Sequence, residues 1–304
     1  MEARIILSNA DFSANNIGKF TALSDLTKKV LAKQTQYSED SDEAQALNTF
    51  LAALTSEGFI GGESPLLKAL FIPALASQHS EFFYNIASLD ENGYPVNAMP
   101  AAERTAVTKV YSAITDSSSR IVGVKDVRGS LTAEEFNAQT LFDNGYGLTD
   151  ENLTLPNVSI AMYNLYDKSS TSYNDLMISL FGDVAYIKSQ QMGAMKQAVY
   201  YGYDMTGTRL GFLGVTLDNE NHTFNAAADN ATLTPIEGTP GTVSSPSVSK
   251  SVARIGYTPT AESRHAHTAF VAWGTDIFSD EMASLKSLVD TLMTALHAKY
   301  YITQ

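Results

Sequence analysis

From about residue 80 onward, the chain is a succession of short apolar runs separated by turn residues, and this pattern constrains the fold more than any other feature. Runs of this length are typical of strands, and closely spaced turns are typical of two-layer β-sandwiches. Strands are predicted at 82–89, 120–124, 158–165, 176–181, 184–188, 197–203, 210–217, 252–257 and 268–273. Turns are predicted at 181–183, 204–207 and 218–221. The amphipathic stretch 101–114 predicts a helix or a long loop.

The part of the chain before the strands has a helical pattern. In 41–58 the apolar residues repeat at helical spacing, with Ser41 suited to the N-cap and Gly58 to the position after the helix. A shorter helix is predicted over 21–33. Ser64-Pro65 is predicted to open a third helix, because proline is favoured at the first helical position.

These patterns predict two units. An N-terminal module over 1–78 combines a short strand at 4–7 with the helices, and a β-sandwich follows over 79–304. Within the second unit, the stretch from 231 to 250 is rich in Thr, Ser, Pro and Gly and predicts a long loop.

The sandwich is expected to close with a C-terminal helix over 280–299. Ser279 is the predicted N-cap, and Asp280 and Glu281 suit the positive end of the helix dipole. The apolar residues that follow form one helical stripe, so the helix is expected to lie across apolar neighbours. The stripe consists of Met282, Leu285, Leu288, Val289, Leu292, Met293 and Leu296.

Composition excludes several classes of function. The formal net charge of −13 disfavours binding to nucleic acid and to anionic membranes. The chain has no cysteine, which excludes thiolate catalysis, disulfides and cysteine-based zinc sites. The N-terminus does not have the pattern of a signal peptide, and no apolar stretch approaches the roughly 20 residues that cross a bilayer.

The end of the chain resembles a known family. The last strand, Trp273 and the phrase Phe278-Ser279-Asp280-Glu281-Met282-Ala283-Ser284-Leu285 resemble the close of concanavalin A-like jelly-roll domains of the laminin-G and pentraxin type. The strands at 158–163 and 252–257 also fit that family. The resemblance covers roughly 80–304 and implies a concanavalin A-like antiparallel β-sandwich closed by the C-terminal helix.

A second resemblance lies at the start of the chain. The phrase ILSNADFSANNIGK, residues 6–19, resembles the openings of virion structural proteins from tailed phages of gut bacteria, the crAss-like phages first among them. This resemblance implies a structural or adhesive protein of the virion, present in many copies and in contact with other virion proteins.

Catalytic and metal motifs are weak. His265 and His267 form a His-x-His pair that could face a metal, but a solvated pair at a loop edge is the favoured interpretation. No strand carries the Glu-x-Asp-x-x-Glu pattern of one branch of glycoside hydrolases with this fold. Ca²⁺ is a possible cofactor at Asp218 and Glu220, or at Asp143-Asn144, although Asp and Asn are also ordinary turn formers. No cofactor is predicted.

Aromatic side chains are the candidate contact residues. Tyr200 and Tyr201 are adjacent, so on a strand they point to opposite faces and at most one of them is in the core. With Tyr203 and Trp273 they are the predicted binding residues, since exposed aromatic rings suit sugars or protein partners.

The predicted function is therefore a non-enzymatic structural component of a phage virion, in a tail or collar ring or in a fibre. It would act through contacts with copies of itself and with other virion proteins. The alternative is a lectin-like protein that recognises a host surface glycan, and a glycan lyase or hydrolase ranks third.

Overall fold

A computed structural model describes residues 21–98, 110–126, 141–147, 156–166, 176–181, 185–196, 199–218, 220–221, 223–236, 252–257 and 267–299. The helices of these residues are α1 (Asp25–Leu31), α2 (Asp42–Ser56) and α3 (Ser279–Ala295), with short 3-10 helices at Pro73–Leu75 and His79–Glu81. The strands are β1 (Leu67–Phe71), β2 (Tyr84–Leu89), β3 (Pro95–Asn97), β4 (Tyr111–Thr115), β5 (Ile121–Asp126), β6 (Leu141–Asp143), β7 (Val158–Asn164), β8 (Leu176–Leu180), β9 (Ala185–Lys188), β10 (Gln191–Lys196), β11 (Val199–Gly207), β12 (Gly211–Asp218), β13 (Thr223–Ala228), β14 (Ala231–Ile236), β15 (Val252–Tyr257) and β16 (His267–Gly274).

The strands form two large antiparallel sheets. The helix-covered sheet has the order β13-β12-β7-β16-β5-β4, and β1 also pairs with β16. The outer sheet has the order β14-β11-β10-β9-β8-β15-β6. Strands β2 and β3 form a separate two-stranded hairpin. The protein is therefore mainly β, with antiparallel sheets and a C-terminal helix, as the sequence predicts.

The central strands of the helix-covered sheet, β12, β7 and β16, are buried on both faces. On β7, Ile160 and Met162 belong to the apolar cluster shared with the outer sheet, while Ala161 and Tyr163 belong to the cluster shared with the helices. Successive side chains of a strand point to opposite faces, so β7 divides its residues between two cores. This explains why every residue of β7 is buried.

The helix layer forms as the sequence predicts. The Ser41 hydroxyl accepts a hydrogen bond of 3.0 Å from the Ala44 amide at the start of α2, and Gly58 follows the helix with a φ of 77°. Phe50 packs edge-on against Phe270 of the sheet, with ring centroids 6.4 Å apart. The predicted helices 41–58 and 21–33 are confirmed as α2 and α1.

The C-terminal helix lies across apolar neighbours, as expected. Its buried stripe packs with α2 and the sheet, and each fully buried side chain of this kind contributes about 1.5–3 kcal/mol. The stripe comprises Met282, Leu285, Val289, Leu292 and Met293. Ser279 is the first helical residue rather than the N-cap, which is Phe278, and the Ser279 hydroxyl contacts the Asn225 side-chain oxygen at 2.7 Å.

Several local predictions are wrong. The third helix from Ser64-Pro65 is instead strand β1, because β16 offers a pairing partner and both faces of 67–71 are apolar enough for burial. Tyr111–Thr115 is β4 rather than helix or loop. The turn at 204–207 is the end of β11, which pairs with β14, and β14 occupies the start of the predicted loop 231–250. The rest of that loop, 237–250, lies outside the described residues, as do the strand at 4–7 and most of 101–114.

In the described part of the chain, no helix combines the length and the apolar character that crossing a bilayer requires.

Candidate functional site

An apolar groove of about 720 Å³ opens on the helix layer. It lies between α1, the second half of α2, the loop that follows α2, and the hairpin strand β2. Most of its surface is apolar, with Leu26, Leu51, Ile60, Ile86 and Leu89 among the lining side chains. We call this surface the apolar groove.

The loop after α2 shapes one wall of the groove. The amides of Phe59 and Ile60 both donate to the carbonyl oxygen of Leu54, at 2.8 and 3.3 Å, which turns the chain back at the end of α2. Gly61 and Gly62 then both have φ near 70°, a region that glycine enters without steric cost. These contacts place Ile60 at the floor of the groove rather than in solvent.

The hairpin β2–β3 forms the opposite wall and carries exposed apolar side chains. Leu89 is 46% exposed and Val96 is 39% exposed, and within the described residues they are the large hydrophobic side chains that face solvent. The turn is fixed by Asp90, whose carboxylate accepts hydrogen bonds of 2.9 Å from the amides of Asn92 and Tyr94. The hairpin therefore places Leu89 at the edge of the groove.

Asn85 attaches the hairpin to the helix-covered sheet. Its side-chain oxygen accepts from the Leu70 amide at 2.9 Å, and its nitrogen donates to the Lys68 carbonyl at 3.2 Å. Lys29 and Lys33 of the α1 region place their ammonium groups 5.6 and 5.0 Å from the Tyr94 ring centroid. The hairpin is thus held on two sides, so the groove is preformed.

A second pocket, of about 500 Å³ and more polar than the groove, lies between α3 and the ends of β7 and β12. We call it the polar pocket. Lys286 on α3 contacts the Asp290 carboxylate at 3.1 Å and also forms an ion pair with Asp229 after β13. Asp229 in turn accepts a hydrogen bond of 2.6 Å from the Phe212 amide. These contacts tie α3 to the edge of the helix-covered sheet.

The charged side chains of this pocket shift each other's pKa values. Burial and the adjacent carboxyl of Asp229 raise the pKa of Asp290, although the Lys286 ammonium opposes the shift. Burial alone lowers the pKa of Lys286, but the two carboxylates outweigh it and hold that pKa above its ordinary value. Lys286 balances the carboxylates, so their first role is electrostatic, as a clamp on α3.

The weak calcium candidates lie in a turn. One carboxylate oxygen of Asp218 accepts from the amides of Glu220 and Asn221 at 3.1 and 2.9 Å, and the other accepts from the Asn221 side chain at 2.8 Å. Burial opposes ionisation, but these hydrogen bonds hold the pKa of Asp218 below its usual range. Glu220 is exposed. Across the described ranges, no three His, Cys, Asp or Glu side chains group as metal ligands would.

The second calcium candidate also has turn-forming contacts. Asp143 accepts from the Gly145 amide at 2.9 Å, and the Asn144 side chain accepts from the Tyr146 amide at 3.1 Å. Of the His-x-His pair, His265 lies outside the described residues. The His267 ring stacks near Tyr166, with centroids 4.5 Å apart.

The structure separates the predicted aromatic contact residues. Trp273 is fully buried, and its indole nitrogen donates a hydrogen bond of 2.9 Å to the Asn144 carbonyl, so its prediction as a surface contact is wrong. Tyr203 is half-buried and donates to the Phe224 carbonyl at 3.1 Å. Tyr200 and Tyr201 lie on β11, opposite Met195 and Ala194, and their side chains lie outside the described part.

Sequence reasoning missed both surfaces. The hairpin could have been found from Asp90 to Gly93, a turn signal between two apolar runs. The pair Lys286 and Asp290 has the i, i+4 spacing of a helical ion pair, but nothing in the sequence indicates that Asp229 joins it.

Comparison of the chain with protein-family models, with curated proteins and with solved structures gives no match.

Proposed function

We propose that this protein is a non-enzymatic structural component of a phage virion that acts through protein–protein contacts. The observation that carries the proposal is the apolar groove, a preformed apolar surface with the 46% exposed Leu89 at its edge. Exposed apolar patches around a groove are typical of protein docking surfaces. The resemblance of residues 6–19 to phage virion proteins is the reason for proposing that the protein is part of a virion.

The fold supports the adhesive part of the proposal. Two seven-stranded antiparallel sheets that pack face to face support a concanavalin A-like jelly roll of the laminin-G and pentraxin type. We propose this fold family for the sandwich. Such domains serve many functions, so the groove rather than the fold supports the function.

Two measurements test the proposal. We expect the purified full-length chain to form a defined ring or fibre in negative-stain microscopy and light scattering. We also expect mass spectrometry to find it in purified phage particles. A chain that stays monomeric at every concentration and is absent from particles would overturn the proposal.

The groove itself is tested by a matched pair of variants. Leu89→Asp places a charge at the groove, and we expect it to reduce self-association. Ser88→Asp adds the same charge at the adjacent exposed position, which does not line the groove, and we expect it to assemble like the wild type. Equal assembly of the two variants would remove the groove as the docking surface.

The polar pocket favours the second candidate function, binding of a host surface glycan. The carboxylate of Asp229 and the side-chain amide of Asn230 line this pocket, and they suit sugar hydroxyls as an acceptor and as a combined donor and acceptor. A glycan array with the wild type and Asp229→Asn tests this. Binding that the substitution removes would support it, and an array without any bound glycan would exclude it.

A further inference from the structure

We propose that the apolar groove receives the N-terminal segment, residues 1–20, of a neighbouring copy of the same chain. This inference rests on the proposed function, because it names the partner that the docking surface takes. Three features of the described residues and the sequence carry it: the direction of the chain at Thr21, the apolar content of the segment, and its charge.

The chain enters the described part beside α2 and runs toward the groove. The Thr21 amide donates to the Gln45 side chain at 3.1 Å, and the Ser24 amide donates to the Asn48 side chain at 2.8 Å. Ser24 and Leu26 then line the groove. Traced backward from Ser24 to Thr21, the chain runs along α2 from Asn48 to Gln45, which leads away from its own groove at the second half of α2.

The segment carries the side chains that such a groove accepts. Ile5, Ile6 and Leu7 are consecutive, and Phe12 follows within the same 20 residues. An extended chain rises about 3.3 Å per residue, so 20 residues span up to about 66 Å, enough to reach from one copy to the next. Burial of two or three of these side chains against Leu51, Ile60 and Leu89 would remove apolar surface of both copies from water.

The absence of charge repulsion favours this segment over the body of a second copy. The whole chain has a formal net charge of −13, so two folded bodies repel each other. Residues 1–20 contain two acidic side chains, Glu2 and Asp11, and two basic ones, Arg4 and Lys19, so the segment is neutral. A neutral apolar segment can approach the acidic body where another acidic surface could not.

The proposed contact also determines the symmetry of the assembly. The segment and the groove are different surfaces, so the contact is heterologous and each copy offers both halves. Repeated heterologous contacts close into a ring or extend into a filament. A groove that packed on the same groove of a second copy would instead stop at a dimer.

The test uses two full-length variants, Ile6→Asp for the segment and Leu89→Asp for the groove. We expect each alone to be monomeric in light scattering, with Ser88→Asp assembling like the wild type. When the two are mixed, the Leu89→Asp protein still offers an intact segment and the Ile6→Asp protein an intact groove. The mixture should therefore form one-to-one dimers and no larger species.

A peptide measurement makes the test independent of assembly. A labelled synthetic peptide of residues 1–20 should bind the full-length Ile6→Asp protein saturably in fluorescence anisotropy. Introducing Leu89→Asp into the same protein should weaken peptide binding by more than about tenfold, since one buried leucine contributes at least a tenfold change in affinity. Cooperative unfolding with an unchanged midpoint would show that each variant is folded.

The outcomes separate this inference from the proposed function. Normal assembly of Ile6→Asp, or absence of peptide binding, would overturn the segment as the occupant while self-assembly stands. A mixture that stays monomeric would also overturn it. The wild-type chain could also stay monomeric and still bind the peptide saturably through Leu89. That result would place the segment–groove contact within one molecule and would contradict the proposed exchange between copies.

Discussion

The hydroxyl of Tyr111 on β4 donates a hydrogen bond of 2.6 Å to the carbonyl oxygen of Ile255 on β15. This bond links the edge of the helix-covered sheet to the outer sheet through the buried core. Burial, together with the nearby carboxylate of Asp126, raises the pKa of Tyr111 well above its ordinary value. The Tyr111 hydroxyl therefore stays protonated, and remains a hydrogen-bond donor, at neutral pH.

We predict that Tyr111→Phe lowers the free energy of unfolding by about 1–3 kcal/mol, because the Ile255 carbonyl is left buried without its donor. Urea unfolding followed by circular dichroism measures the change. Tyr84→Phe is the matched control, since in the described residues the hydroxyl of the half-buried Tyr84 makes no hydrogen bond. Equal effects of the two substitutions would contradict the role given to the bond between the sheets.

The single tryptophan gives a direct spectroscopic test of the core. Trp273 has no exposed surface and its ring lies 5.3 Å from that of Phe71, centroid to centroid. We predict native fluorescence at shorter wavelength than that of free tryptophan, poor quenching by iodide, and a red shift on unfolding. Emission that is red-shifted and readily quenched in the native protein would show that β16 does not lie in the core.

The sequence predicted the elements whose pattern follows from one buried face or from local chemistry. The ends of α2 could be predicted because Ser41 and Gly58 determine them through contacts and backbone conformations within a few residues along the chain. The stripe of α3 could be named because its period matches one apolar surface. Both predictions depend on spacing within the element alone.

The missed elements depend on partners far along the chain. The segment 67–71 forms strand β1 because β16, some 200 residues later, pairs with it through its backbone groups. The apolar residues of 67–71 are compatible with a buried helix as well as with a buried strand, so the local sequence does not decide between them. Trp273 was predicted to be a binding residue because an aromatic ring suits a surface contact as well as a core, and only the packing of the two sheets decides between them. The pocket around Lys286 was missed because Asp229 comes from a different element.

Glu81 gives the chain an acid-sensitive clamp. One carboxylate oxygen accepts hydrogen bonds from the amides of Thr35 and Ser77 at 2.9 and 2.8 Å, and the other accepts from Gln78 at 2.9 Å. Burial opposes ionisation, but these hydrogen bonds outweigh it and hold the pKa of Glu81 below its usual range. The carboxylate thus joins the segment after α1 to the chain before β2.

We predict that Glu81→Gln lowers the free energy of unfolding at pH 7 by about 1–3 kcal/mol. A depressed folded-state pKa contributes stability that is present above the unfolded-state pKa and lost as pH falls through the folded-state value. The difference from wild type should therefore shrink in acid. Urea unfolding at pH 7 and pH 3 checks this, with the exposed Glu91→Gln as a control that should leave stability unchanged. A constant difference would show that the charge of Glu81 is not the cause.

Asp290 should have the opposite pH dependence, because its pKa is raised by burial and by the carboxyl of Asp229. A raised pKa contributes stability that is present below the unfolded-state pKa, near 3.8, and lost as pH rises through the folded-state value. We predict that Asp290→Asn escapes this loss, because the amide can donate to Asp229 as the protonated acid does. Its stability relative to wild type should therefore rise as pH rises from 4 to 7.

Lys286→Met tests the same cluster from the other side. With the ammonium removed, Asp229 and Asp290 repel each other once both are ionised, so the variant should lose about 1 kcal/mol at pH 7. The loss should be smaller at pH 4, because protonation of Asp290 then removes one of the two repelling charges. Urea unfolding of both variants at the two pH values gives the comparison, and Glu63→Gln, exposed and outside the pocket, should leave stability unchanged at either pH. A Lys286→Met loss that is equal at pH 4 and pH 7 would mean that Lys286 holds α3 by packing of its apolar stem and not by its charge.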